Sequence, residues 1–182
     1  MAKRYTFTIA SQDRSRDIPR KLILAQNQTE TVAHVALKLI AYLLFYRERI
    51  QVETALPDDT IPFLPDLVQL DYSLHPVLWV ECGECTISKL HKLAVKAPEA
   101  EIWIVKRNAE DAQQLQLNME REKLRTGRYH IVGLDREMFE EVTNLLKERN
   151  EVTWFRGTFD PPLLQFDLDG LWFEAPFTLL KH

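Results

Sequence analysis

Pro65-Asp66-Leu67-Val68-Gln69-Leu70 and Val77-Leu78-Trp79-Val80-Glu81-Cys82-Gly83-Glu84 are two short apolar runs, and together they decide how this chain is read. Tyr72-Ser73-Leu74-His75 between them reads as the turn of a β-hairpin. A turn there pairs Asp71 with Pro76, Leu70 with Val77, Val68 with Trp79 and Asp66 with Glu81. Directly opposed residues share a face, with Cβ atoms about 4.5–5.5 Å apart, and like charges set so repel one another. The rest of that face is apolar, so two acids at its end call for a shared proton or a bound cation. Oxygen-only ligands suit Mg²⁺, Mn²⁺ or Ca²⁺ better than zinc. A slip of one residue in register would send the acids to opposite faces and remove the site.

On the N-terminal side, strands are predicted over Arg4 to Ala10 and around Lys21 to Leu24, separated by the polar loop Ser11 to Arg16. A helix follows, with Thr29 as its cap: Val32, Val35, Ala36, Leu39, Ile40, Leu43 and Leu44 recur at helical spacing, and the pattern ends near Arg49. Ile50 to Thr54 is a short strand, and a Pro- and Asp-rich loop runs from Leu56 to Pro62. Beyond the hairpin, Thr86 caps a helix with the buried stripe Ile87, Leu90, Leu93 and Ala94, stopped near Pro98. A buried-type strand covers Glu101 to Val105, a polar helix about Glu110 to Lys123, a strand Tyr129 to Val132 and a helix Arg136 to Arg149. The tail alternates as strands over Val152 to Thr158, Leu163 to Leu168 and Leu171 to Phe177. Asp169-Gly170 joins the last two as a type I′ turn. With no repeat, linker or low-complexity tract, residues 1–182 read as one α/β domain, a central mixed sheet flanked by helices with a β-rich C-terminal extension.

A chain of 182 residues is long enough to bury a core without disulfides or metals as staples. Its 46% hydrophobic and 27% charged residues are ordinary for a globular protein. A formal charge of −4 and a pI near 5.8 give no overall field for polyanions, so nucleic acid would have to be held by a local basic surface. Met1 to Phe7 lacks the apolar run of a signal peptide, and the apolar stretch Val35 to Tyr46 is interrupted by Lys38 and too short to span a bilayer. The expectation is a cytoplasmic protein with no membrane partner and with reduced cysteines.

From Glu81 the chain passes through Cys82-Gly83-Glu84-Cys85-Thr86-Ile87-Ser88-Lys89 out of a strand and into a helix. Lys92 and Lys96 belong to the solvated face of that helix. Lys89 lies in its first turn, where the helix dipole disfavours a cation, and beside the strand that carries Glu81. Reaching back, it could orient or deprotonate a water, or stabilise charge on a phosphate. Glu30 sits at the start of the first helix, where the dipole alone favours an acid. His34 reads as packed or partly exposed on that helix, and His130 and His182 have no partner in the sequence. Cys82-x-x-Cys85 between strand and helix is also the geometry of a redox dithiol. Against that stand the acid before Cys82 and the lack of any proline between Pro98 and Pro161 to face the thiols. A zinc site on both cysteines would need His75 or His91 as further ligands. Five glycines, none at loop spacing, make no nucleotide cradle.

An acid after a proline before one strand, a glutamate in the next strand and a basic residue nearby resemble the site of the PD-(D/E)XK nuclease superfamily. The order of elements from Thr29 to Val105 is similar to that superfamily's αβββαβ core. More closely, Leu22-Ile23-Leu24-Ala25-Gln26-Asn27-Gln28-Thr29-Glu30-Thr31, the helix from Val35 ending in Arg47-Glu48-Arg49, and Leu78-Trp79-Val80-Glu81-Cys82-Gly83 resemble the YaeQ family of small bacterial proteins. The resemblance covers about the first hundred residues. It implies a restriction-endonuclease-like fold with Asp66 and Glu81 as metal ligands and Glu30 as a further acid lining the site; it does not imply a reaction. The lysine expected two residues after Glu81 is Gly83, so either Lys89 has taken over its role or catalysis is lost.

The expectation is therefore a Mg²⁺- or Mn²⁺-dependent nuclease. Asp66, Glu81 and the Cys82 carbonyl would hold the ion, Lys89 would assist the attacking water, and Glu30 would position a second ion or a water. Two alternatives stand beside it. One is a non-catalytic module that binds nucleic acid or protein through Lys89, Lys92, Lys96, Lys106 and Arg107 with Trp103 and Tyr72. The other is a CxxC redox protein.

Overall fold

Val35 to Phe45 are all buried, and a helix buried on every side must lie between layers rather than on top of one. The computed structural model, which describes residues 1–182, shows which layers. In chain order its elements are β1 (Lys3–Ser11), β2 (Lys21–Gln26), α1 (Val32–Phe45), β3 (Gln51–Val52), β4 (Leu67–Leu70), β5 (Pro76–Cys82), α2 (Ile87–Lys96), β6 (Glu101–Lys106), α3 (Ala109–Arg121), β7 (Tyr129–Gly133), α4 (Arg136–Leu145), β8 (Arg149–Phe159), β9 (Pro162–Leu168), β10 (Leu171–Pro176) and β11 (Thr178–Lys181). The strands form two mixed sheets, in the orders β10-β9-β8-β1-β2 and β11-β7-β6-β5-β4-β3. One core packs α1 and α4 with the inner face of the first sheet and one face of the second. A smaller core covers the opposite face of the second sheet under α2 and α3. β5 and β6, buried on both faces, are accordingly near-continuous apolar runs.

The succession α1-β3-β4-β5-α2-β6 is the α-β-β-β-α-β order expected from the sequence. The single central sheet with a C-terminal extension is not what forms. β8 pairs in parallel with β1 (Ile9↔Val152), and β11 returns to pair with β7 (Leu180↔Ile131), so the tail completes both sheets. The reason is visible in the strands: Val152 and Trp154, Leu164, Phe166 and Leu168, and Phe173 and Ala175 give β8, β9 and β10 one buried face each. The otherwise unpaired flank of α1 is what they cover.

Ends shift for local reasons. Thr31, not Thr29, caps α1, accepting from the His34 N–H at 3.3 Å. The helix stops at Phe45 rather than near Arg49, where Arg16 Nη1 donates to the Leu43 carbonyl at 2.8 Å and also meets those of Leu44 and Tyr46. α4 ends at Leu145, four residues early. Asn150 closes the following turn by accepting from the Lys147 N–H and donating to its carbonyl, which frees Arg149 to start β8. Asp169 and Gly170 both have positive φ, 50° and 86°, as a type I′ turn requires. No helix is long and apolar enough to cross a membrane.

Near the site the hairpin register is Leu67↔Val80, Val68↔Trp79 and Gln69↔Leu78. Towards the turn it departs from expectation: Leu70 pairs with Pro76, not Val77, through a one-residue irregularity after Gln69. Pro76 has no N–H for the ladder, and Asp71 closes the turn instead, its Oδ1 accepting from the Ser73 and His75 N–H groups.

Gly133, at the end of β7, packs against the β6–α3 junction. A Cβ there would lie 2.9 Å from Ala109 Cα and 2.9 Å from the Asn108 carbonyl oxygen, both main-chain atoms. Gly133→Ala is expected to lower stability by roughly 1–3 kcal/mol through overpacking, seen as a lower urea midpoint at an unchanged m-value.

Candidate functional site

Four adjacent strands of the second sheet each place a charged residue at the same end. Continuing the observed registers by one residue sets Glu53, just past β3, opposite Asp66, just before β4, and Asp66 opposite Glu81 of β5. Lys106 closes β6, which runs parallel to β5. This is the end where the C-termini of β5 and β6 leave backbone groups without ladder partners, the usual place for a site in an α/β sheet.

Asp66 satisfies one such group. Its Oδ2 accepts from the Cys82 N–H at 2.7 Å, where a longer β4 would have supplied a carbonyl, and its Oδ1 lies 3.2 Å from His34 Nε2. Glu81 Oε1 accepts from Trp79 Nε1 at 2.7 Å, and Oε2 from Lys89 Nζ at 2.9 Å. Each acid therefore has its own cation. Lys89 comes from α2 on one face of the sheet, His34 from α1 on the other. Burial pushes the Glu81 carboxyl above its ordinary value; Lys89 and Trp79 counteract this only in part, and the nearby Asp66 charge adds to it.

Local chemistry explains why lysine comes from position 89. Gly83 has φ +82°, a left-handed backbone in which a lysine would be strained. Thr86 caps α2 and accepts from the Lys89 N–H at 3.1 Å, which fixes the first turn and aims Lys89 back at Glu81. Lys106, itself buried, donates from Nζ to the Gly83 carbonyl at 2.7 Å.

Sequence reasoning missed the rest of the network. His34 Nδ1 lies 3.0 Å from Glu30 Oε1, so both ring nitrogens face carboxylates, which favours the doubly protonated ring. The Asp66 hydrogen bond is the strongest influence raising the His34 pKa, with the Asp66 and Glu30 charges added, against burial and Lys38. Lys38, fully buried, donates to Glu53 Oε1 at 2.7 Å and Glu30 Oε1 at 3.2 Å. The Glu53 N–H in turn donates to the Asp66 carbonyl at 3.0 Å. A signal existed: Glu30, His34 and Lys38 are spaced by four, hence on one stripe, and a lysine within an otherwise apolar buried helix must find acids.

Glu81 and Lys89 thus meet directly, Asp66 lies across the hairpin ladder from Glu81 with partners of its own, and Glu30 reaches Asp66 through His34. Cys82 contributes its N–H, while its thiol points into the core beneath α1. The basic surface imagined from sequence does not assemble. Trp103 is buried, stacked on His130 at 4.4 Å and packed on Phe45, and Lys106 is committed to Gly83. Tyr72 is exposed in the β4–β5 turn, under the Arg49 guanidinium. Burial raises the Cys82 thiol well above its ordinary pKa and the Cys85 thiol to about 11, the opposite of what dithiol exchange needs. His75 pairs with Asp71 in the hairpin turn. Beside the network opens a cleft of about 350 Å³ lined by Glu30, His34, Cys82, Gly83, Lys106 and Arg107, among others.

The family model described as "YaeQ protein" matches residues 2–155. No curated protein matches the chain. Among solved structures, the YaeQ protein from Xanthomonas axonopodis pv. citri is similar with a TM-score of 0.69 and 22% identity, over 99% of this chain and 97% of that one. The YaeQ protein from Pseudomonas syringae is similar with a TM-score of 0.76 and 14% identity, over 100% of this chain and 97% of that one. At these identities the likeness concerns the fold.

The His34 contacts predict a pH dependence. A histidine that binds its proton more tightly when folded contributes stability fully present below its unfolded pKa of about 6.5, lost as pH rises through the higher folded value. In EDTA, the urea stability of the protein minus that of His34→Gln is expected to be constant below that range and to shrink above it. A difference that grows with pH would contradict the paired imidazolium.

Proposed function

The chain belongs to the YaeQ family, and we propose that it is a Mg²⁺- or Mn²⁺-dependent phosphodiester hydrolase of nucleic acid, with a site of the PD-(D/E)XK kind, working in the cytoplasm. One observation carries the reading: Lys89 Nζ lies 2.9 Å from Glu81 Oε2. A glutamate and a lysine therefore meet at the strand ends, with Asp66 across the ladder from the glutamate, even though position 83 is glycine.

The donor set fits a hard divalent ion. Asp66, Glu81 and the Cys82 carbonyl are oxygen ligands only, and Mg²⁺ is commonly held by one or two carboxylates, with water and substrate phosphate completing its shell. Each carboxylate oxygen now accepts one N–H and keeps a second lone pair. Bound there, the ion would supply a water of lowered pKa and polarise the phosphoryl group. Lys89, only partly exposed, orients the water or neutralises charge on the phosphate from the α2 side. His34 and Glu30 hold Asp66 from the α1 side and line the neighbouring cleft, where Arg107 offers positive charge. That all four carboxylate oxygens already have a partner within the protein also favours a second reading, a binding module that retains the site as structure alone.

Cleavage of single- and double-stranded DNA and RNA with Mg²⁺ or Mn²⁺ distinguishes them. EDTA, Asp66→Asn and Glu81→Gln are each expected to abolish cleavage, and Lys89→Met to slow it by roughly 10²–10⁴-fold. Binding that persists in EDTA with no cleavage under any condition would leave the binding module. Cleavage indifferent to Asp66 and Glu81 would end the proposal.

A further inference from the structure

Lys38 is the one charged residue within the buried stretch of α1, and none of its surface reaches solvent. Its ammonium is ringed by oxygen: Glu53 Oε1 at 2.7 Å, the Ala25 carbonyl at 3.0 Å, and Glu30 Oε1 and Oε2 at 3.2 and 3.4 Å. Two carboxylates and a carbonyl around a point charge are the donor set that a hard divalent cation takes in other proteins. The cage abuts Asp66 twice. Glu30 Oε1, which Lys38 holds, also faces His34 and through it Asp66 Oδ1, and the Glu53 N–H donates to the Asp66 carbonyl. Glu53 adopts φ +46°, a left-handed backbone uncommon for a glutamate, to serve both contacts.

We propose that Lys38 is a built-in cation standing where a second divalent ion would otherwise bind, so that the protein takes up one ion, at Asp66 and Glu81, and Glu30 is not a ligand. The inference rests on the reading of Asp66 and Glu81 as ion ligands and deepens it by fixing the stoichiometry. Burial works against the Lys38 charge, but Glu53 and Glu30 outweigh it and raise its pKa, so it stays an ammonium throughout the working range. A tethered charge needs no free metal to hold Glu30 and Glu53 in place. It makes Lys38 a positioning residue that sets where Asp66 lies.

Mn²⁺ is counted by the electron paramagnetic resonance of the free ion, and thermal unfolding is followed in the same samples. The full-length protein is expected to bind one Mn²⁺, lost in the Asp66→Asn/Glu81→Gln double variant. Lys38→Ala vacates the cage and is expected to bind one ion more, with a Tm that Mn²⁺ raises further than it raises that of the parent protein. Adding Glu53→Gln removes the extra ion. Lys38→Met, which keeps the space filled, gains none. A folded Lys38→Ala protein with an unchanged count, or a parent protein that already binds two ions, overturns the inference. If Lys38→Ala is unfolded without metal, refolding on Mn²⁺ supports the proposal, and failure to refold at concentrations that saturate the parent site overturns it. A parent protein that binds none beside a Lys38→Ala protein that binds one would remove Asp66 and Glu81 as ligands while upholding the assignment of Lys38.

Discussion

A lysine ammonium sealed inside a protein must be surrounded by acceptors, because an isolated buried charge is prohibitive and even a well-matched pair scarcely recovers its desolvation. Lys38 imposes that condition on this fold. The helix that carries it lies between two sheets, so no solvent is within reach and the acceptors have to come from the chain. They come from both sides of the helix start: Glu30 ahead of α1 and Glu53 past β3, with the Ala25 carbonyl from β2. Satisfying the lysine thus ties the first sheet, α1 and the edge of the second sheet together at one point. Glu53 is turned into a left-handed conformation to reach it. Asp66 is adjacent to both acids through His34 and through the Glu53 N–H, so its carboxylate inherits a fixed position from an electrostatic requirement two contacts away.

The same end of the sheet explains how two like charges are tolerated side by side. Asp66 and Glu81 are not hydrogen-bonded to one another, and each has its own partners. Asp66 takes a backbone N–H that the short β4 leaves free, while Glu81 takes an indole and an ammonium. A carboxylate meeting N–H groups is stabilised as the anion, whereas burial favours the neutral acid. For Glu81 burial prevails in direction, so its N–H partners compensate the buried charge only in part. Its cation, Lys89, also lies 5.5 Å from the Phe63 ring centroid and retains some exposure, so it is the member of the group best able to exchange partners.

What was legible in the sequence was local. The Val68↔Trp79 register follows from alternation on the two faces of a hairpin, the Thr86 cap from its position before an apolar stripe, and the Asp169-Gly170 turn from the positive φ it demands. The proximity of Lys89 to Glu81 followed from the same reasoning, because strand, turn and first helical turn are contiguous. The two-sheet architecture was not legible: β8 pairs with β1 across more than a hundred residues, and strand periodicity says which face is buried without saying against what. Trp103 misled for a related reason. Its position between Ile102 and Ile104 puts it on the α1 face of a strand buried on both sides, where an aromatic serves packing, here against Phe45, Phe159 and His130.

Glycine at position 83 has a backbone reason. β5 must end at Cys82, because the chain has to turn into α2, and the turn is made with a positive φ that only glycine takes without strain. A side chain at 83 would in any case point towards Leu37 of α1, 3.6 Å from where its Cβ would sit, and away from the face that carries Glu81. The first turn of α2 lies on the correct face. There the helix dipole opposes a cation by only about 0.3–1 kcal/mol, whereas hydrogen bonds to charged groups contribute about 1.5–3 kcal/mol. The contact between Lys89 and the buried Glu81 therefore outweighs the unfavourable placement. Position 89 is where this backbone can present an ammonium to Glu81, and the carbonyl that glycine frees at 83 is taken up by a second lysine, Lys106.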